Sequence, residues 1–193
     1  MIRILDDFLP QWYANELENN ILSSNFPWYY INDISLPTNG ENGEDANPKT
    51  GYGMTHWYFD NEGGENSPYY SMVNMIPKFA LERFNMDPVH NVFQARSFLS
   101  LPRPRTERND GIHIDTEVPH VVLLYYVNDC EEAPTYLFED MEGNKVIQKI
   151  EPKKNRLAIF QGNIPHASSQ PENGIRAIIN FDLIHLEAED FFK

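Results

Sequence analysis

The chain of 193 residues sets 29 Asp and Glu against 15 Lys and Arg, and its formal charge of −14 repels polyanions, which sets aside nucleic acid and anionic membrane surfaces as partners. One cysteine, Cys130, leaves neither an internal disulfide nor a thiolate metal cluster, and no run approaches the apolar length needed to cross a bilayer. The start, MIRILDDFLP, places acids where a signal peptide needs an uninterrupted apolar run, so the expectation is one cytoplasmic, non-secreted domain spanning residues 1–193.

Residues 2–9 read as a short strand and turn. Pro10 then suits a first helical position, and Trp12, Tyr13, Leu17 and Ile21 recur at helical spacing to about Ser24. Residues 32–66 are rich in Asn and Gly and carry no clear period around His56-Trp57-Tyr58-Phe59, which predicts a long loop of the kind that serves as a lid or binding segment. Ser67-Pro68 reads as an N-cap and first turn of a second helix running to about Met86, interrupted by Pro77.

From Val92 onward short apolar runs are punctuated by Pro, Gly and Asn. Strands are expected at 92–101, 112–114, 119–127, 135–139, 145–150, 156–160, 165–168 and 175–184. Eight short strands after helices predict a mainly β fold with α, a double-stranded β-helix (jelly roll) whose N-terminal helices pack on the larger sheet. In this division residues 1–90 form the helical support and loop, and 91–185 the jelly-roll core.

The chemistry concentrates at His113-Ile114-Asp115, with His166 and Arg176 downstream. Side chains along a strand alternate with period 2, so His113 and Asp115 point to the same side. Two imidazoles and one carboxylate can cap one face of an octahedral Fe(II) and leave the opposite positions open. A cation after the second His suits an anionic cosubstrate.

The order HID at 113–115, LYYVN at 124–128, NRLAIF at 155–160, His166 and Arg176 resembles the prolyl-4-hydroxylase-like branch of the 2-oxoglutarate/Fe(II) dioxygenases. The resemblance spans roughly residues 92–184, and the opening ILDDFLP is also similar to that family's. It implies that His113, Asp115 and His166 bind Fe(II) and that Arg176 pairs with the distal carboxylate of 2-oxoglutarate. Tyr126 would donate to the same carboxylate, and O₂ would take the remaining metal position. The implied activity is hydroxylation of a C–H bond coupled to 2-oxoglutarate decarboxylation, and a carboxylate at position 115 favours hydroxylation over halogenation. The substrate class stays open between a prolyl peptide, a free amino acid and another small metabolite. Departures from the family pattern are Glu132-Ala133-Pro134-Thr135 in place of Gly-Gly-x-Thr, Leu101 in place of a Tyr before Pro102, and Ile178 in place of a Ser.

Around this set, Arg103, Arg105 and Arg108 gather positive charge just before His113 and read either as a solvated loop or as substrate contacts. His56 reads as aromatic packing or a substrate contact, and Tyr126 as a core aromatic or a cosubstrate donor. Asn180 and Asp182 follow Arg176 at even spacing, so a regular strand turns all three inward, toward substrate or a polar network behind the site. His120 and His185 read as structural or exposed. Two rival readings are a cupin-like metal-binding sensor without turnover and a barrel that hydrolyses or isomerises with another divalent ion. Arg176 and Tyr126 speak against the sensor, because a bare metal site has no use for them.

Overall fold

The computed structural model describes residues 1–32, 52–86, 92–103, 111–186 and 188–192. After the strand β1 (Ile2–Leu5), helix α1 (Gln11–Ile21) begins one residue beyond Pro10, whose carbonyl accepts from the amides of Tyr13 and Ala14 at 2.9 and 3.1 Å. The buried stripe of α1 is Ala14, Leu17 and Ile21, and Trp12 stands outside it at 68% exposure. Next come β2 (Tyr29–Ile31), β3 (Gly53–Asp60) and β4 (Gly64–Glu65), then α2 (Tyr70–Val73) and α3 (Met75–Arg83).

Two expectations are corrected here. The aromatic stretch around His56 is not a loop. It forms β3, paired along its length with β5 (Val92–Ser100), and it lacks a readable period because much of both faces is buried. The lid expected over 32–66 otherwise falls on residues outside those described. The second helix is interrupted, as expected, but the break falls at Asn74 rather than at Pro77 itself. In one continuous helix the Pro77 ring would meet the carbonyl of Val73 and could offer it no N–H, so the chain ends α2 there and uses Pro77 in the first turn of α3.

The strand expected at 112–114 does not form, since His113 makes only an isolated bridge to His166, and the others follow the sequence reading closely: β6 (His120–Tyr126), β7 (Thr135–Phe138), β8 (Val146–Ile150), β9 (Arg156–Gln161), β10 (His166–Ser168) and β11 (Arg176–Ile184), before a 3-10 turn at Ala188–Phe192. Among the described residues the fold is mainly β with few helices. An eight-stranded antiparallel sheet runs β1-β9-β6-β11-β5-β3-β2 with β4 on β3, and a three-stranded one runs β10-β7-β8.

Alternation along the central strands separates two apolar clusters. Val121, Leu123 and Tyr125 of β6 and Ala177, Ile179 and Phe181 of β11 share one with Leu17 and Ile21 of α1 and Ile76 and Ala80 of α3. Val122, Leu124 and Tyr126, with Ile178, Ala158 and Phe160, form the other beneath the small sheet's Leu137 and Ile150. The sheet thus presents one face to the helices and the other to a second interior.

Asn155 ties the N-terminal turn to this sheet. It sits at φ 63°, a left-handed conformation that Asn tolerates, and its side chain is buried. Its Oδ1 accepts from the Leu9 amide at 2.8 Å and its Nδ2 donates to the Leu9 carbonyl at 2.9 Å. Asn155→Ala would leave both backbone groups unpartnered, so unfolding free energy should fall by about 2–4 kcal/mol in denaturant titration. A loss below about 0.5 kcal/mol would show that water replaces both bonds.

Candidate metal and cosubstrate site

His113 and His166 are neighbours because their backbones form an isolated antiparallel bridge, with N–H···O distances of 3.0 and 2.9 Å in the two directions. Only at this point does the His113 segment join β10, and the bridge sets the imidazole rings 4.6 Å apart. Asp115, two residues on, turns to the same side. The ligand-type atoms of His113, Asp115 and His166 all lie within 4.8 Å of one another.

The rings are oriented by their own chain. Nδ1 of His113 lies 2.9 Å from the Gly111 carbonyl and Nδ1 of His166 lies 3.0 Å from the Ile164 carbonyl. A carbonyl can only accept, so Nδ1 carries the proton in each and Nε2 keeps its lone pair. Donor types and tautomers therefore suit a divalent metal. Burial, with His166 adding repulsion, lowers the His113 pKa to about 4. Burial opposes charge on His166 as well, but the facing Asp115 leaves its pKa raised overall.

A polar network backs the three residues. Arg96 Nη2 donates to Asp115 Oδ1 at 2.8 Å with both side chains buried, and Asn180 Nδ2 donates to Oδ2 at 3.2 Å. Burial by itself would raise the Asp115 carboxyl, but His166 and the Arg96 guanidinium hold it well below the usual carboxylate range. Asp182 shows the opposite result: burial and repulsion from Asp115 raise it to about 6. Gln94 Nε2 donates to its Oδ2, and His120 Nε2 stands 3.9 Å from its Oδ1. The His120 ring needs the glycine beside it, since a Cβ on Gly162 would lie 2.1 Å from its Nε2.

The metal-ligand-type residues open into a small cavity of about 40 Å³ that continues into open solvent at its mouth. Phe98, Val122, Leu124, Phe160 and Ile178 give it apolar walls, and Arg176 and Thr135 lie on it too. Arg176 is 2% exposed, and its Nη2 donates to Thr135 Oγ1 at 2.6 Å. Tyr126 donates its hydroxyl to the same oxygen at 2.8 Å, with the Arg176 guanidinium 5.5 Å from its ring centre. With both lone pairs of Thr135 occupied, its own O–H must donate elsewhere. Arg176 Nε is buried without a partner. This end of the cavity thus has donors and one positive charge in excess, the complement of a carboxylate.

Of the residues singled out in the sequence, His113, Asp115, His166, Arg176 and Asn180 line this one cavity, and Tyr126 joins it through Thr135. Asp182 lies behind it in the Gln94–His120 network. His56 sits apart, its ring nitrogens 2.9 Å from the Pro27 carbonyl and 2.7 Å from Ser67 Oγ within a cluster containing Phe26, Tyr58 and Tyr69. That is packing. Arg103 is buried rather than solvated, its guanidinium 4.1 Å from the Tyr52 ring centre and its amide bonded to the Pro171 carbonyl at 2.8 Å. Arg105 and Arg108 fall outside the described residues. Sequence reading missed Arg96 and Thr135. Arg96 carried a usable signal, a charge inside VFQARSFLS two positions from Phe98, the same anomaly that marked Arg176 in IRAIINFDL.

No family model and no curated protein sequence matches the chain. Solved structures do. A prolyl hydroxylase from Trichoplax adhaerens, in complex with a hypoxia inducible factor oxygen degradation domain peptide fragment, is 19% identical with a TM-score of 0.58, over 99% of this chain and 86% of that one. A collagen prolyl hydroxylase from Paramecium bursaria Chlorella virus 1, in complex with 2-oxoglutarate, is 15% identical with a TM-score of 0.56, over 94% and 93%. A 2-oxoglutarate–Fe(II) oxygenase family oxidoreductase from Burkholderia pseudomallei is 10% identical with a TM-score of 0.65, over 94% and 84%. The chain shares the fold of the prolyl hydroxylases and related 2-oxoglutarate–Fe(II) oxygenases.

Proposed function

We propose that this protein is a non-heme Fe(II) dioxygenase that couples 2-oxoglutarate decarboxylation to hydroxylation of a C–H bond. The observation that carries this reading is one cavity with two chemically opposite ends. His113, Asp115 and His166 offer a two-His, one-carboxylate donor set, and Arg176 with Thr135 offers a buried cation and free donors. A cosubstrate with a chelating keto acid at one end and a carboxylate at the other matches both, as a sensor holding only a metal would not. The group formed by Fe(II), 2-oxoglutarate and O₂ supplies the oxidation: one oxygen atom enters the substrate C–H bond and the other the succinate formed with CO₂.

In this proposal Arg176 fixes the distal carboxylate by a charge-assisted pair, and Thr135 adds its O–H while Tyr126 braces it. Phe98, Val122, Leu124, Phe160 and Ile178 keep water from the reacting end. The architecture we infer is a single domain over residues 1–193, a double-stranded β-helix with its N-terminal helices on the major sheet. The shared cluster of α1, α3, β6 and β11 supports that inference. The substrate is a small molecule or a peptide, as the Trichoplax hydroxylase's bound peptide illustrates, and Arg103, Arg105, Arg108 and residues 32–66 are where its contacts belong. Among the described residues no helix is long and apolar enough to cross a membrane, and we place the protein in the cytoplasm without a nucleic-acid or membrane partner.

Anaerobic Fe(II) with 2-oxoglutarate should give a weak visible charge-transfer band, lost in His113→Ala, Asp115→Ala and His166→Ala. Persistence of the band in all three variants would exclude this ligand set. For the anchor, Arg176→Ala should weaken 2-oxoglutarate binding by roughly two orders of magnitude and Thr135→Val by about tenfold, with metal affinity retained in both. Unaltered 2-oxoglutarate titrations would move the cosubstrate elsewhere.

A further inference from the structure

We infer that Arg96 is a built-in counter-charge for Asp115, a positioning residue that preassembles the metal site in the metal-free protein and weakens Asp115 as a donor once metal binds. This rests on the metal-site reading given above. The two oxygens of Asp115 have different surroundings. Oδ1 takes the Arg96 guanidinium at 2.8 Å, and Oδ2 lies 3.5 Å from His166 Nε2 and 3.2 Å from Asn180 Nδ2. Oδ2 therefore faces the imidazoles and Oδ1 belongs to Arg96.

Arg96 is held in this role by neighbouring strands and aromatic rings. On β5 it pairs across to Asn180 of β11 and to Trp57 of β3, with its guanidinium 5.1 Å from the Trp57 ring centre and 5.2 Å from that of Phe98. Its side chain is 4% exposed and that of Asp115 is 6%. A carboxylate buried so deeply needs a positive partner. Before metal arrives, the guanidinium is that partner. A divalent ion held by His113, Asp115 and His166 would meet a like charge already paired with that carboxylate, so Arg96 stabilises the empty site and works against the filled one. An orienting hydrogen bond without a charge role predicts the reverse, because losing such partners costs metal affinity.

The two roles separate in Arg96→Gln, which removes the charge but keeps an amide donor, and Arg96→Lys, which keeps the charge. Thermal unfolding and titration with Mn(II) alone read them without turnover. Metal-free Arg96→Gln should melt about 10 °C below the wild type. Saturating Mn(II) should recover most of that loss, and apparent Mn(II) affinity should rise about tenfold. Arg96→Lys should bind Mn(II) within about threefold of the wild type. The double variant Arg96→Gln, Asp115→Asn should be more stable without metal than Asp115→Asn, where Arg96 is left as the uncompensated charge. That comparison holds even where Arg96→Gln folds only with metal. Lowered or unchanged Mn(II) affinity in Arg96→Gln overturns the counter-charge role and leaves orientation or packing. A wild type whose melting does not respond to Mn(II) overturns the metal-site reading itself, and the role of Arg96 with it.

Discussion

Two backbone hydrogen bonds between His113 and His166 decide where the chemistry of this protein is placed. The His113 segment is not a strand of either sheet. It follows residues 104–110 and touches the small sheet through that single bridge, yet it carries two of the three metal-ligand-type side chains. A bridge of this kind fixes position and direction together, since each residue both donates and accepts. With the register set, the local Nδ1 bonds to Gly111 and Ile164 fix each ring, and Arg96 and Asn180 hold the Asp115 carboxylate beside them.

β11 supplies the other half. One face of this strand sends Ala177, Ile179, Phe181 and Leu183 into the helix-side core, and the other sends Arg176, Ile178, Asn180 and Asp182 toward the second interior. A strand buried on both faces cannot show the usual apolar and polar alternation unless its polar residues have work inside. Here they do. Arg176 meets Thr135, Ile178 walls the cavity, and Asn180 and Asp182 enter the network behind Asp115. Successive inward positions of one rigid element thus serve the anion end, the dry middle and the metal end in order.

Under the proposed function, electrostatics reconciles a net charge of −14 with an anionic cosubstrate. Surface acids are distant and screened, whereas the buried guanidiniums of Arg176 and Arg96 act at short range through apolar walls. They are held differently. Among the described residues Arg96 is paired with a carboxylate and Arg176 with a hydroxyl, so of the two it is Arg176 that retains charge for a ligand. Burial and repulsion from Asp115 raise the neighbouring Asp182 carboxyl to about 6, so a second negative charge at the metal end comes at a cost.

The sequence determined the elements whose signal is local. Strands β5 to β11 were legible because turn residues bound short apolar runs, and the His-x-Asp pair, the distal His and an Arg inside an apolar strand announced themselves as misfits. β3 was not legible, because burial on both faces erases alternation, and the break at Asn74 was hidden because it depends on the carbonyl four residues before Pro77. Side-chain partnership lay beyond the sequence altogether. Nothing local says that Thr135 would receive both Tyr126 and Arg176, that Arg96 of β5 would meet Asp115, or that His56 would be consumed by Pro27 and Ser67. Those pairings depend on cross-strand register and on which face each strand turns inward, quantities set by the packing of distant segments, and only the tertiary structure decides them.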